Sequence, residues 1–244
     1  MNKRLICSAA ILFVLCGCSV NNKEEEKTIS GCDIFSECEN TIEAGVSNMT
    51  IKEAYEYYNG KTNSSGKEYR TVHLPEDHAL VKMSPEDIVR MIENNENFYV
   101  YIGDEKCPWC RSVIEKAIEV AKDNAVDKIY YLKIWDDEGN EILRDKFVYE
   151  DGSLVMDTVA SDAYYQLLDS WKDYLSDYTL NVDGQTIEVG EKRIYAPNFV
   201  YIKDGEIRSL VTGISDKQSD SYQNLSEEIL KDEEAIFEEF FALK

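Results

Sequence analysis

One stretch in the first half of the chain decides the fold: residues 98–121, FYVYIGDEKCPWCRSVIEKAIEVA. It opens with an aromatic and β-branched run, Phe98 to Ile102, which is typical of a buried strand. Two cysteines, Cys107 and Cys110, follow the run, and apolar residues then recur at the spacing of a helix: Val113, Ile114, Ala117, Ile118 and Ala121. The stretch therefore predicts a strand, a C-x-x-C motif and a helix in direct succession.

Further strands and helices are predicted on both sides of this unit. Upstream, a short strand over residues 79–83 precedes a helix start at Ser84-Pro85, where serine caps the helix and proline takes its first position. Downstream, the patterns predict a strand at 128–135, two strands at 197–203 and 206–212 joined by a turn at Asp204-Gly205, and a helix from about Ser226.

Residues 136–192 form a long insertion with elements of its own. Asp151-Gly152 and Asp183-Gly184 each favour a hairpin turn. Between them, residues 161–178 predict a helix with four inward-facing residues: Tyr165, Leu168, Trp171 and Leu175. The order of elements predicts an α/β fold: a mixed sheet covered by helices on both faces, with an α+β insertion.

Composition excludes several classes of protein. The chain has 244 residues, of which 43% are hydrophobic, so it can bury a substantial core. Its formal net charge of −22 argues against a nucleic-acid partner, because a polyanion would be repelled. The sequence has neither a Gly-rich phosphate loop nor a serine-nucleophile motif, and we expect no cofactor. The acidic residues near the C-terminus favour a solvated face on the last helix: Glu227, Glu228, Asp232, Glu233, Glu234, Glu238 and Glu239.

The first residues have the layout of a secretory signal peptide. Lys3 and Arg4 precede an apolar run that is too short to span a membrane, and small residues follow it. Leu15-Cys16-Gly17-Cys18 resembles a bacterial lipobox. This resemblance implies removal of residues 1–17 and a lipid on Cys18, which would hold the protein at the outer face of the cell membrane. The alternative is a plain signal peptide.

Residues 18–70 are predicted to be a tether and a loosely structured neck, with one short helix near residues 50–58. The neck holds a second close cysteine pair, Cys32 and Cys38. Because disulfides persist in exported proteins, we favour a small structural disulfide between them over a second redox-active pair.

The C-x-x-C motif between a strand and a helix is typical of redox chemistry. Cys107 is expected at the helix N-cap, partly exposed, with Pro108 at the first helical position. The positive end of the helix dipole and the charge of Lys106 would lower the pKa of Cys107. Cys110, one turn deeper, would resolve mixed disulfides, and Trp109 would offer an exposed aromatic contact to an incoming polypeptide.

The strand–CPWC–helix unit, together with Tyr195-Ala196-Pro197 before a strand, resembles the thioredoxin superfamily. The resemblance covers roughly residues 79–135 and 194–244 and favours a domain over residues 71–244. It implies a cis bond before Pro197, a proline ring close to Cys107, and an Ala196 backbone that hydrogen-bonds to a bound polypeptide.

Two positions depart from the thioredoxin pattern. The motif is C-P-W-C rather than C-G-P-C, and Tyr101 stands where thioredoxins carry a buried acid, six residues before the first cysteine. The direction of electron transfer is therefore not carried over from the resemblance.

These features predict an extracytoplasmic thiol–disulfide oxidoreductase that exchanges disulfides with exported proteins. A redox partner in the membrane would regenerate it. Cys107 and Cys110 are the candidate catalytic residues. The motif could instead be half of a zinc site, but zinc needs four ligands and we expect no metal. Two further interpretations stay open: a purely structural C-x-x-C disulfide, and a non-catalytic binding or assembly lipoprotein on the same fold.

Overall fold

The computed structural model describes residues 49–135 and 141–243. The helices are α1 (Ile51–Tyr57), α2 (Pro85–Glu93), α3 (Pro108–Asp123), α4 (Asp162–Trp171) and α5 (Glu227–Phe241), with a 3₁₀ turn at Lys172–Tyr174. The strands are β1 (Leu80–Lys82), β2 (Phe98–Gly103), β3 (Ile129–Lys133), β4 (Lys146–Glu150), β5 (Ser153–Thr158), β6 (Ser176–Val182), β7 (Gln185–Arg193), β8 (Asn198–Lys203) and β9 (Glu206–Val211). No helix within the described ranges is long and apolar enough to cross a membrane.

A five-stranded mixed sheet in the order β1-β3-β2-β8-β9 forms the centre of the molecule. β1 and β2 run parallel to β3, whereas β8 is antiparallel to β2 and β9 is antiparallel to β8. Every residue of β2, the middle strand, is buried. Ile102 near the end of β2 pairs with Asn198 at the start of β8. The segments that follow β2 and precede β8 therefore meet at one edge of the sheet.

Helices cover both faces of this sheet. α2 links β1 to β2 and α3 links β2 to β3 in the opposite direction, so right-handed crossovers place the two helices on opposite faces. α3 packs against α5, and α2 packs against α4. The Phe237 ring of α5 lies 4.8 Å from that of Phe199, centroid to centroid, and anchors α5 to β8. The mixed sheet and its two helical layers agree with the prediction.

The insertion contains the two predicted hairpins, β4–β5 and β6–β7. Asp183 and Gly184 at the second turn have φ values of 51° and 77°, the left-handed conformation that a type I′ hairpin turn requires.

The predicted helix over residues 161–178 is wrong in its end and partly wrong in its face: Trp171 and Leu175 are buried as predicted, although Leu175 lies beyond α4. α4 ends at Trp171. The chain from Ser176 onward belongs to the β6–β7 hairpin, where Ser176 pairs with Arg193. Tyr165 and Leu168 are only partly buried. The fully covered residues of α4 are Ala163, Tyr164, Leu167 and Trp171. Two adjacent faces of a helix can both carry apolar residues at three- and four-residue spacing, so the sequence pattern could not show which of the two faces is buried.

Within residues 49–70, the interpretation as a loosely structured neck is wrong. α1 has a capping box between Thr50 and Glu53, and Tyr55 is completely buried. Arg111 of α3 holds this region: its guanidinium donates to the carbonyl oxygens of Tyr55 (2.9 Å) and Arg70 (2.7 Å) and to Oδ1 of Asn59 (2.6 Å). These partners are far apart in sequence, which is why local composition did not reveal the packing.

The acidic face of the last helix is solvated with one exception. Glu233 is completely buried, although its neighbours Glu234 and Glu238 are exposed. Its pKa is raised to about 8, chiefly by burial, while the positive charges of Arg70 and Lys116 act in the opposite direction.

Candidate functional site

The CPWC motif lies directly after the middle strand of the sheet. Cys107 is the N-cap of α3, with φ −65° and ψ 116°, and Pro108 takes the first helical position, as predicted. The backbone N–H of Cys110 donates to the Cys107 sulfur at 3.3 Å. The Cys107 sulfur therefore receives a hydrogen bond from the first turn of the helix.

The loop before β8 meets this motif. The Ala196-Pro197 peptide bond is cis, which confirms the cis bond expected before Pro197. The Cys107 thiol lies 3.8 Å from the Ala196 carbonyl oxygen, to which it donates. Residues almost ninety positions apart, which the thioredoxin resemblance assigned to one site, are thus in contact.

Burial at the motif differs from the prediction. Cys107 and Cys110 have no exposed surface, and Trp109 is only 7% exposed. The expected partial exposure of Cys107 and the exposed contact offered by Trp109 are therefore wrong. Lys106 is also buried, with its ammonium group 5.7 Å from the centroid of the Tyr58 ring. The prediction of exposure considered only the helix N-cap and left out the Tyr58 ring, which comes from a segment far away in sequence.

The Cys110 thiol is held in its neutral form. Burial raises its pKa well above the ordinary value, and the hydrogen bond and charge of Cys107 raise it further. The Asp104 backbone and the Tyr101 hydroxyl face the Cys110 sulfur and partly offset this rise. The position where thioredoxins carry an acid thus holds a tyrosine whose hydroxyl lies beside the second cysteine.

Two buried carboxyl groups next to the motif were missed by the sequence analysis. Asp104 and Glu105 are 2% and 3% exposed. Burial, and secondarily the charge of Glu105, raise the pKa of Asp104 well above its usual range. Asp104 Oδ1 accepts a hydrogen bond from the Lys106 backbone N–H at 2.9 Å. The signal in the sequence that could have identified these carboxyl groups is the acidic pair Asp104-Glu105, directly before Lys106-Cys107.

Glu105 joins the motif to the neighbouring strand. Its Oε1 accepts a hydrogen bond from the Lys133 ammonium at 2.5 Å, and its Oε2 accepts one from the Tyr131 hydroxyl at 3.2 Å. Both partners belong to β3. The buried ion pair gives Glu105 a compensating charge.

A second hydroxyl network lies behind the cysteines. The hydroxyls of Tyr55 and Tyr101 are 2.8 Å apart. Burial raises the pKa of both tyrosines well above the usual value, so both are neutral and can donate hydrogen bonds. α1 therefore contributes a polar group to the surroundings of Cys110.

The remaining predicted site residues, Cys18, Cys32 and Cys38, lie outside the described residues. In residues 49–135 and 141–243, no group of three or more His, Cys, Asp or Glu side chains could hold a metal ion. No protein-family model matches this chain, and no curated protein matches it.

Proposed function

We propose that this chain is a thiol–disulfide oxidoreductase with a thioredoxin-like fold. The observation that carries the proposal is the asymmetric environment of two adjacent sulfurs. Cys107 caps a helix and accepts a hydrogen bond from its first turn, while Cys110, equally buried, has a raised pKa. A nucleophilic thiol beside a protonated resolving thiol is what two-step disulfide exchange requires.

The architecture supports the proposed fold. The motif follows the carboxyl end of a central strand, α3 and α2 lie on opposite faces, and an antiparallel hairpin, β8–β9, completes the sheet. The Ala196 carbonyl oxygen lies within hydrogen-bond distance of Cys107. A polypeptide joined to Cys107 would therefore have backbone groups of residues 195–197 beside it.

The proposed exchange has two steps. The Cys107 thiolate attacks one sulfur of a substrate disulfide, forms a mixed disulfide and releases the other substrate sulfur as a thiolate, which takes up a proton. Cys110 then loses its proton and attacks the Cys107 sulfur, which releases the second substrate thiol. The substrate disulfide is reduced to two thiols, and Cys107–Cys110 is oxidised to a disulfide. The reverse sequence oxidises substrate thiols.

Asp104 is suited to receive the proton of Cys110. The pKa of Asp104 is raised above that of an ordinary aspartate and is therefore closer to the pKa of a thiol. A smaller difference in pKa eases proton transfer in either direction. We assign Asp104 this role in place of the acid that is missing at Tyr101.

The proposal includes the location predicted from the sequence. A lipid on Cys18 would hold the protein at the extracytoplasmic face of the membrane. Its partners there would be exported proteins that carry thiols or disulfides, together with a membrane redox partner. No nucleic acid is expected.

One observation favours a second function, that of a non-catalytic binding or assembly lipoprotein. Cys107 is completely buried, whereas a catalytic thiol must meet its substrate. In such a protein the motif supports the fold and does not exchange disulfides.

Two activity assays distinguish these functions. Purified mature protein is tested for reduction of a small synthetic disulfide and for oxidation of a reduced, unfolded protein. Cys107→Ser/Cys110→Ser serves as the blank. The oxidoreductase should show activity in at least one assay that the blank lacks, whereas equal rates for both proteins would favour the scaffold.

A further inference from the structure

The carboxyl ends of β1 and β3 form one side of a groove of about 690 Å³. Ser84 and Ser161, the N-caps of α2 and α4, line its other side. Ligands of parallel α/β sheets commonly bind at this edge, beyond the carboxyl ends of the strands. We call it the carboxyl-edge groove.

Apolar and polar side chains line the groove in similar numbers, and two of the apolar ones are well exposed. Met83 and Trp135 lie in its wall, and Ile142 and Val159 are 40% and 71% exposed. Large apolar side chains exposed together on a concave surface indicate a binding surface for an apolar group. The volume is within the range of sites that hold several side chains or a small ligand.

The serine hydroxyls and the Lys133 ammonium of the groove are already engaged, whereas Lys82 and Glu86 are exposed in its lining and carry opposite charges. Ser84 Oγ accepts a hydrogen bond from the Asp87 N–H at 3.1 Å, and Ser161 Oγ accepts one from the Tyr164 N–H at 3.2 Å. Acidic residues in the first turns of α2 and α4 also oppose an incoming negative charge. The Lys133 ammonium is paired with Glu105.

The groove is continuous with the CPWC motif. Tyr131 and Lys133 line it, and both hold Glu105, two residues before Cys107. Adjacent strands lie about 4.8 Å apart, so β3 and β1 end about 5–10 Å from the end of β2. An extended chain covers this distance in about two to three residues.

We infer that the carboxyl-edge groove binds an extended segment of the substrate polypeptide. The inference rests on the proposed function. The groove holds a bulky apolar side chain of the substrate, which lies about three residues from the substrate's reacting cysteine. Basic residues flank that segment, because the chain has a net charge of −22 and attracts cationic polypeptides at long range.

Binding is measured by fluorescence anisotropy with a short labelled peptide in which serine replaces the cysteine, so that the result does not depend on exchange. The peptide carries a leucine about three residues from that serine and lysines at both ends. Val159→Asp should weaken its binding about ten-fold, because a carboxylate cannot be desolvated against apolar side chains without cost. Ile142→Asp gives a second test in a different loop.

Val155→Asp is the matched control. Val155 is 43% exposed on β5 and does not line the groove. It should bind the peptide as wild type does, and a peptide with serine in place of the leucine should bind every variant equally weakly. Equal binding by Val159→Asp and wild type would overturn the inference, as would equally tight binding of a peptide flanked by glutamates.

A parallel assay separates this inference from the proposed function. Exchange with a small synthetic disulfide does not need the groove, and it is measured with the wild-type protein and with Cys107→Ser/Cys110→Ser as the blank. If wild-type protein shows no such exchange while the peptide still binds as described, the proposed function fails and the groove assignment is retained for a non-catalytic binding protein.

Discussion

Cys107 and Cys110 are one helical turn apart, but their sulfurs experience different electrostatic surroundings. The first accepts an N–H bond from the helix start, whereas burial and the neighbouring sulfur keep the second protonated. Asp104, also buried and with a raised pKa, lies close enough for its backbone to face the Cys110 sulfur. Proton transfer, rather than access of the sulfur alone, is therefore expected to limit the resolving step.

Asp104→Asn tests this proton transfer. The asparagine oxygen can still accept the Lys106 backbone N–H bond, but the side chain cannot take up a proton. Resolution of a preformed mixed disulfide at Cys107 should slow by about 100-fold, the range for loss of a general base. Stopped-flow detection of the released thiol across pH measures this step.

Asp123→Asn, at an exposed position near the end of α3, is the matched control and should resolve at the wild-type rate. An unchanged resolving rate and pH profile in Asp104→Asn would remove Asp104 from the mechanism.

The buried Glu233 leads to a second prediction at the scale of single residues, which concerns how the free energy of unfolding depends on pH. Its pKa is raised from 4.5 to about 8, so the folded state keeps a proton that the unfolded state loses within this window. Stability should therefore fall as pH rises through the window and change no further above it. Glu233→Gln should remove this dependence, a difference of about 5 kcal/mol between the ends of the window at about 1.36 kcal/mol for each pKa unit.

Chemical denaturation at several pH values measures this effect. Glu239→Gln, an exposed change on the same helix, should retain the wild-type pH dependence. If Glu233→Gln also retains it, Glu233 is not the group responsible.

At the scale of elements, α1 and α3 form one unit. Arg111 donates to three carbonyl oxygens, those of Tyr55, Arg70 and Glu105, and to the Asn59 side chain. Glu105 belongs to the turn that leads into Cys107, so the same guanidinium holds both α1 and the approach to the motif. We expect the position of the redox motif to depend on residues that precede the sheet.

Arg111→Met should keep much of the apolar bulk and remove all of these hydrogen bonds. The free energy of unfolding should fall by about 2–4 kcal/mol, because several buried acceptors lose their donor. Hydrogen exchange should show loss of protection in α1 beyond that expected from global unfolding. Arg90→Met, whose side chain is 68% exposed on α2, should change neither quantity appreciably. Full protection of α1 in Arg111→Met would contradict this role.

Local signals made much of the architecture predictable. Ser84 and Ser226 cap helices where the sequence placed their starts, and Asp183-Gly184 turns the predicted hairpin. Features that depend on distant partners could not be predicted. Examples are the burial of Glu233 and the covering of Trp109, since each follows from segments that only the folded chain brings together.

For the whole molecule, charge and anchoring should act together. A net charge of −22 would keep the body of the protein away from an anionic membrane surface, so a lipid rather than surface charge would have to hold it there. The described residues contain no helix suited to crossing a membrane. The anchoring proposal is made for Cys18.

Cys18→Ala tests the anchor. The variant should accumulate as an unprocessed precursor without a fatty-acid label, because the lipobox peptidase requires the modified cysteine. Metabolic labelling and the mass of the protein in membrane fractions provide the measurement, with Cys16→Ala as the control that should mature normally. Labelled, correctly cleaved Cys18→Ala would leave a plain signal peptide as the explanation.

The central claim is that Cys107 attacks substrate disulfides and Cys110 resolves the product. It is tested most directly by trapping mixed disulfides in cells that express Cys110→Ser or Cys107→Ser. Free thiols are blocked with acid and an alkylating reagent. The adducts are then identified by non-reducing electrophoresis and mass spectrometry. Cys110→Ser should accumulate mixed disulfides joined at Cys107, and Cys107→Ser should accumulate none. Adducts on Cys110 in Cys107→Ser, or no adducts in either variant, would contradict the account.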